Sequence, residues 1–434
     1  MSNNTAQLSL SAAIIINLNI IIGSGIFINT TQLAQHAGIL GGLSYAIVGT
    51  LLLPLILCFA QLLSVYPGGS FYSFCSTSLN PFMGFINAWC YFVTKLSSAT
   101  LVIHVFVLLM QKTFPALACC DTLMLDMIIL SMLASLSLLN IRTGSSIQRY
   151  LMILKLFPLF LVIIAGIIFF NAANLEPIHQ LWSGIPATIP LVLHAMLGFE
   201  AACSISRNIE NPQINGPRAV LISYGIVVML YVAYQTLFYA ILGTDLAAQT
   251  DYRGAFPLLI NAFNISDTAR NILGHVIHGA IALSALSAGL GMIYSNMWNL
   301  YSLAEQKHVA WFSNVIMLRN RFGIPFLCVL AQAFISFIYM IIIAGEQTTF
   351  QQLSAFGSTC TYSLSIIGLI IVLMQRRKSV VVAVLGFINC LILLSASLYA
   401  MWCMGNSKPL CIFSGAMVIG IVLYLISKEC KREH

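Results

Sequence analysis

Ile20-Ile21-Ile22-Gly23-Ser24-Gly25-Ile26-Phe27 interrupts the first apolar run of the chain. Two glycines around a serine weaken a helix, each by about 1 kcal/mol relative to alanine. Set at membrane depth, the stretch has two readings. Either the helix breaks and exposes backbone N–H groups, helped by the positive end of a half-helix, or the small residues let another helix pack closely. A second interruption lies in His194-Ala195-Met196-Leu197-Gly198-Phe199-Glu200. There a glycine stands beside an intramembrane carboxylate, a costly residue that defaults to function.

The rest of the sequence places both stretches inside a bilayer. Of 434 residues, 59% are apolar and 7% charged, where a soluble domain carries about 25% charged residues. Mean hydropathy is +0.94. A soluble protein cannot hide that much apolar surface, and disorder needs the opposite composition. Continuous runs such as Leu161 to Phe170 and Ile366 to Met374 exclude the alternating segments of a membrane barrel. Met1 to Leu10 carries no basic side chain, so no cleavable leader is expected.

A span needs roughly 20 apolar residues. Twelve candidates follow, at about 10–32, 40–63, 82–112, 122–140, 148–171, 185–206, 217–243, 272–303, 324–344, 351–374, 379–403 and 409–427. Spans 3 and 8 are long enough to tilt or project. With the N-terminus in the cytoplasm, thirteen basic residues fall on the inner side: Arg142, Arg149, Arg207, Arg218, Lys307, Arg319, Arg321, Arg376, Arg377, Lys378, Lys428, Lys431 and Arg432. Lys112, Arg253, Arg270 and Lys408 fall outside, and Lys95 and Lys155 lie within spans. The positive-inside rule therefore puts both termini in the cytoplasm of the cell (inner) membrane. The net charge of +7 reflects this orientation and not nucleic-acid binding.

No soluble domain is expected, although the loops at about 244–271 and 304–323 have room for short helices. No phosphate-binding loop of the G-x-x-x-x-G-K-[ST] kind occurs, which argues against an ATP-driven pump. Twelve cysteines are present; Cys58, Cys90, Cys203, Cys360 and Cys390 lie in apolar runs as small hydrophobes. The Cys119-Cys120 pair is read as a structural loop element. No spacing resembles a metal site, and no cofactor is implied.

Gly23-Ser24-Gly25-Ile26-Phe27 resembles the first-helix signature of the amino acid–polyamine–organocation superfamily. Gly198-Phe199-Glu200, Glu210-Asn211-Pro212 and Gly216-Pro217-Arg218-Ala219 resemble its sixth helix and following loop, and Ser284 to Glu305 its eighth. The resemblance covers nearly the whole chain. It departs at Ser206-Arg207-Asn208, where an acidic pair is common, and at Ser295-Asn296, where an arginine is frequent.

The resemblance implies an all-α membrane protein of twelve transmembrane helices with a leucine-transporter-type 5+5 inverted repeat. Helices 1 and 6 are broken. The first repeat is about 10–171, the second about 185–374, and helices 11 and 12 occupy about 379–427, all one transmembrane transporter domain over 1–434. It implies an amino acid permease, a symporter or an antiporter, working by alternating access. The substrate carboxylate would meet the N–H groups of Ser24 and Gly25. Its ammonium would meet carbonyls near Ile22, His194 and Leu197, with Gly23, Gly198, Phe199 and Glu200 completing the two breaks.

Three further side chains carry two readings each. Lys155 lies about 10 Å inside from Gln148. It either snorkels to the cytoplasmic interface or, as the resemblance implies, takes the place of a sodium ion and carries the coupled proton, with partners near Gly23 and at Ser284 or Ser287. Lys95 lies about 20 Å along span 3. It either pairs structurally with Glu200 or binds an acidic substrate side chain. His194 stands where the family usually has an aromatic, and either closes over the substrate or is a satisfied core histidine. His104, His275 and His278 are weaker candidates than His194.

The expected partners are an amino acid, protons and the lipid bilayer. A polyamine or amine exchanger is the alternative within transport. It would prefer acidic pocket residues, and Glu200 is the one acid this reading places in the spans. A channel or sensor on a transporter scaffold needs the same helix breaks without stoichiometric coupling; saturation and countertransport discriminate it. A membrane-embedded enzyme needs clustered catalytic groups, and only Lys95, Lys155, Glu200 and a few histidines lie at depth.

Overall fold

The computed structural model describes residues 8–139, 141–175, 179–205, 208–263, 265–309, 312–403 and 405–430. Hydrocarbon offers the backbone no hydrogen-bond partner, so each apolar run closes its polar groups on itself as a helix. The first half contains α1 (Leu10–Ile21), α2 (Gly25–Ala37), α3 (Gly41–Val65), α4 (Phe71–Ser76), α5 (Pro81–Thr113), α6 (Pro115–Ala118), α7 (Thr122–Ser137) and α8 (Ile141–Ile168). The second contains α9 (Ile185–Met196), α10 (Ala201–Ile205), α11 (Pro212–Leu242), α12 (Thr244–Ala247), α13 (Tyr252–Asn261), α14 (Asp267–Glu305), α15 (Ser313–Ile316), α16 (Phe326–Ile343), α17 (Gln347–Gln375), α18 (Val381–Cys403) and α19 (Lys408–Cys430). Among the described residues there are no strands. Two isolated bridges occur, Leu8 with Ile209 and Arg319 with Pro325.

Ten helical segments among the described residues are long and apolar enough to cross a membrane, against the twelve expected from the sequence. The difference lies in two pieces. Span 1 divides, so that α1 keeps only 12 residues, about 18 Å of rise. Its second piece runs on with α3 as one apolar stretch, Gly25–Val65. Span 4 becomes α7, whose 16 residues rise about 24 Å, short of the roughly 30 Å of hydrocarbon. The 33 residues of α5 and 39 of α14 give helices of about 50 and 58 Å, the long spans expected. The two loops noted in the sequence hold α12 and α13, and α15.

The outer surface is apolar. Trp402, Met229, Ile153 and Phe334 are all more than half exposed, which is the surface of a multi-pass membrane protein. Inside, α5 packs along α14 and α17, and α3 along α11. α1 is lodged between α8, α11 and α14, and α2 lies on α9. Below α1, Leu8 N–H donates to Asn208 O at 2.7 Å and Glu210 N–H to Leu8 O at 2.9 Å, tying the start of the described chain to the segment after α10. In the 244–271 loop, Asp251 caps α13 by accepting from Arg253 N–H at 2.7 Å. Burial raises the Asp251 carboxyl, but hydrogen bonds and charge from Arg253 outweigh it and hold it below the usual carboxylate range.

Candidate functional site

Both sequence interruptions are real breaks in the helices. α1 stops at Ile21; Ile22 leaves helical geometry at φ −75°, ψ 81°, and α2 starts at Gly25. α9 stops at Met196, Leu197 is extended, and Gly198 adopts φ +120°, a conformation that favours glycine. The breaks lie against each other: a Cβ on Gly198 would come 2.9 Å from Ile20 Cγ2 and 3.0 Å from Ile21 N. A Cβ on Gly25 would come 2.9 Å from Ala195 Cα, and one on Gly23 3.2 Å from Ala288 Cβ. The two readings of Gly23-Ser24-Gly25 thus hold together, since the same glycines open the helix and let α9 and α14 approach it.

Two asparagines fasten the broken helix, and sequence reasoning missed both. Asn17 Nδ2 donates to Phe199 O at 3.1 Å and to Ser223 Oγ at 2.8 Å, while Ala202 N–H donates to Asn17 Oδ1 at 3.3 Å. Asn19 Nδ2 donates to Ser287 O at 3.3 Å, and Ser287 Oγ donates to Asn19 Oδ1 at 2.6 Å. The signal was present: two amides in a 12-residue helix whose other residues are apolar apart from Ser11.

Lys155 reaches the frayed end of α1. Its Nζ donates to Asn19 O at 2.7 Å and Ile22 O at 2.6 Å, and the side chain is fully buried. Ser284 Oγ donates to Gly23 O at 3.2 Å. A helix end leaves its last carbonyls without intrahelical donors and carries partial negative charge. An ammonium satisfies both. Lys155 therefore does not snorkel, and its carbonyls, Asn19 and Ile22, lie in the backbone just before Gly23. The Ile22 carbonyl that the resemblance reserves for a substrate ammonium already accepts from Lys155.

Lys95 on α5 lies with Nζ 2.5 Å from Glu200 Oε1, both side chains within 1% of complete burial. Gly198 N–H donates to Glu200 Oε2 at 2.9 Å, and Lys95 Nζ stands 5.6 Å from the Tyr91 ring centre. The carboxylate thus holds the second break and answers the buried ammonium together. Phe199 packs beside this pair against Tyr362 (5.3 Å) and Phe59 (5.8 Å).

Where α2 crosses α9, polar groups stand without partners. Ser24 Oγ and His194 Nδ1 are buried and make no hydrogen bond among the described residues. They flank the contact between Gly25 and Ala195. Phe27 and Ile28 N–H both donate to Ser24 O, so the N–H groups that the start of α2 leaves without an intrahelical partner are those ahead of them, at Ser24 and Gly25, and Ser24 makes no side-chain cap. Free N–H groups, a hydroxyl and the positive helix end can hold a carboxylate. His194 O accepts from Leu197 N–H at 3.3 Å. One turn further out, Asn29 Nδ2 donates to Leu191 O at 2.6 Å and Gln351 Nε2 to Asn29 Oδ1 at 3.3 Å, fixing α2 to α9 and α17.

The structure therefore groups the chosen residues in three neighbouring places: Ile22, Gly23, Lys155, Ser284 and Ser287; Lys95, Gly198, Phe199 and Glu200; and Ser24, Gly25, His194 and Leu197. His275 and His278 lie apart, on the N-terminal half of α14 beside Lys112 and Arg270. Ser206 and Arg207 lie outside the described residues. Asn296 Nδ2 donates to Phe92 O at 3.2 Å. Arg319, from the following loop, covers that end of α14, 4.9 Å from the Tyr301 ring centre. Glu200 is not the sole acid at depth: Asp126 on α7 is buried against His104. A carboxylate inside an apolar run was a readable signal for it.

The sequence model of one family, described as amino acid permease, matches residues 8–426. The chain is 21% identical over 388 residues to the b(0,+)-type amino acid transporter 1 of Mus musculus, covering 86% of this chain and 77% of that protein. It is 22% identical over 421 residues to the cystine/glutamate transporter of Homo sapiens, covering 91% and 80%. It is 21% identical over 321 residues to the inner membrane transport protein YbaT of Escherichia coli (strain K12), covering 70% and 68%.

Proposed function

The chain belongs to the amino acid permease family, and from that premise we propose that it is a secondary active transporter moving amino acids by alternating access, as a proton symporter or an amino acid exchanger. One observation carries the reading. Two helix breaks face each other, and a buried hydroxyl and a ring nitrogen, Ser24 Oγ and His194 Nδ1, stand at the crossing without partners among the described residues. An α-amino acid supplies what they lack. Its carboxylate takes the N–H groups of Ser24 and Gly25 and the Ser24 hydroxyl, and its ammonium takes the carbonyl ends of the breaks near His194 and Leu197, the expected third carbonyl, Ile22, being held by Lys155. Backbone recognition of this kind reads the head group and leaves the side chain to Lys95, Phe199 and Glu200.

The architecture we propose counts α1 with α2 as helix 1 and α9 with α10 as helix 6. Together with α3, α5, α7 and α8, and with α11, α14, α16 and α17, they form two inverted five-helix repeats, about 10–171 and 185–374. α18 and α19 add helices 11 and 12. Helices 1, 2, 6 and 7 rock against helices 3, 4, 8 and 9. The pairing of α3 with α11, and of α5 with α14, supports that division. Both termini face the cytoplasm, supported by the thirteen-to-four distribution of basic residues.

Lys155 is the coupling group in this reading. Protonated, it bonds the Asn19 and Ile22 carbonyls and keeps α1 against α8 and α14, with Ser284 and Ser287 holding the adjacent positions. Deprotonated, it releases part of that grip. The observation favouring exchange of acidic substrates is the Lys95–Glu200 pair, where a substrate carboxylate can replace Glu200 on Lys95. The test is uptake by purified protein in liposomes with a panel of acidic, neutral and basic amino acids, with and without an inward proton gradient. Gradient-driven uptake into empty liposomes supports symport; uptake only into preloaded liposomes supports exchange. No saturable uptake of any amino acid overturns the reading.

A further inference from the structure

A cavity of about 310 Å³ opens away from the helix breaks between α5, α7 and the α16–α17 turn. Its polar wall is His104, Asp121, Thr122 and Asp126, and among the described residues no lysine or arginine lines it. His104 Nδ1 lies 2.8 Å from Asp126 Oδ2. The other face of the imidazole is closed by the turn, since a Cβ on Gly345 would come 2.9 Å from His104 Nε2. One carboxylate oxygen is therefore held in place. The second, Asp126 Oδ1, is buried and has no partner among the described residues, in a residue only 3% exposed. Asp121, the N-cap of α7, spends Oδ1 on Met124 N–H at 2.9 Å. The remaining wall is apolar and includes Leu123, Met340 and Phe350. Glu346 on the nearby turn is already paired with Lys408.

A buried carboxylate oxygen without a donor is expensive, and a native structure that keeps one has a partner for it. A cationic donor suits it best, because the two carboxyl groups on the wall, Asp121 and Asp126, are both acids. It must be small and largely apolar, because the cavity is at the low end of ligand-sized pockets and its remaining walls are hydrocarbon. It cannot carry a carboxylate, which Asp121 and Asp126 would repel. We propose that this cavity binds a small primary ammonium compound with an apolar body, its ammonium on Asp126 Oδ1 and facing Asp121. His104 is a positioning residue that fixes the carboxylate. The site is distinct from the helix breaks, and its ligand is an amine, not an amino acid.

The test uses the full chain in nanodiscs, titrated calorimetrically with phenethylammonium, with 2-phenylethanol as neutral isostere and 3-phenylpropionate as anionic one. Saturable binding of the ammonium alone is expected, weakened at least about tenfold in Asp126→Asn. Leu123→Trp, which fills the cavity and keeps both acids, is expected to abolish it, and carries the test should the Asp126 variant not fold. Equal binding of the alcohol, undiminished binding in either variant, or no ammonium binding at millimolar concentration overturns the proposal.

Discussion

Replacing Glu200 by glutamine removes one charge and little else. The amide oxygen still accepts from Gly198 N–H, so the second helix break keeps its hydrogen bond. What is lost is the counter-charge 2.5 Å from Lys95 Nζ, at a place where both side chains are within 1% of full burial. Breaking a buried pair by removing one partner costs about 3–5 kcal/mol, because the other charge stays buried and uncompensated. Lys95→Met with Glu200→Gln removes both charges and preserves both shapes. A buried pair replaced in this way is often neutral in stability. The double variant should therefore be more stable than Glu200→Gln alone, with a coupling energy of about 2 kcal/mol or more between the two sites. The assay is an unfolding double-mutant cycle on protein in one detergent at one pH. Additive effects, or a Glu200→Gln variant within about 0.5 kcal/mol of the parent, would refute the reasoning.

Lys155→Met removes the donors to Asn19 and Ile22 and should abolish the pH dependence of uptake in proteoliposomes; an unchanged pH profile contradicts the proton role. Gly25→Val drives a side chain into Ala195, whose Cα would lie 2.9 Å from the new Cβ, and should cost about 1–3 kcal/mol and eliminate uptake; transport at the parent rate shows that α2 and α9 need not cross so closely. The Asp251 carboxyl lies below its usual range when folded, so its contribution is present above the ordinary carboxylate pKa and fades as pH falls through the depressed value. Asp251→Asn should therefore lose less stability than the parent between about pH 5 and 3, read from unfolding midpoints, and identical slopes contradict the assignment.

Much of this was legible because the bilayer simplifies the problem. Apolar runs must be helices, and glycines with an acid at depth mark where helices fail. The break at Gly23-Ser24-Gly25 and that at Gly198 follow from those two rules. The network around them does not. Which carbonyls near Gly23 Lys155 reaches depends on the rotation of α8 about its own axis, which an almost uniformly apolar helix leaves unspecified; they are those of Asn19 and Ile22. Asn17 and Asn19 were passed over because a polar amide in a membrane helix gains its meaning only from its neighbours. Asp126 belongs to no motif, and its partner, His104, stands on a different helix, so the pair has no signature along the chain. α7 was placed correctly in order, yet at 16 residues it falls short of a full span.

The central claim is that the facing breaks hold an amino acid for transport. Its most direct measurement is uptake of a labelled amino acid panel into liposomes by the purified protein and by Gly25→Val. The account predicts saturable uptake by the parent of at least one amino acid, stimulated by a proton gradient or by internal amino acid, and none by the variant. Absence of saturable uptake by the parent, or equal uptake by both, would contradict it.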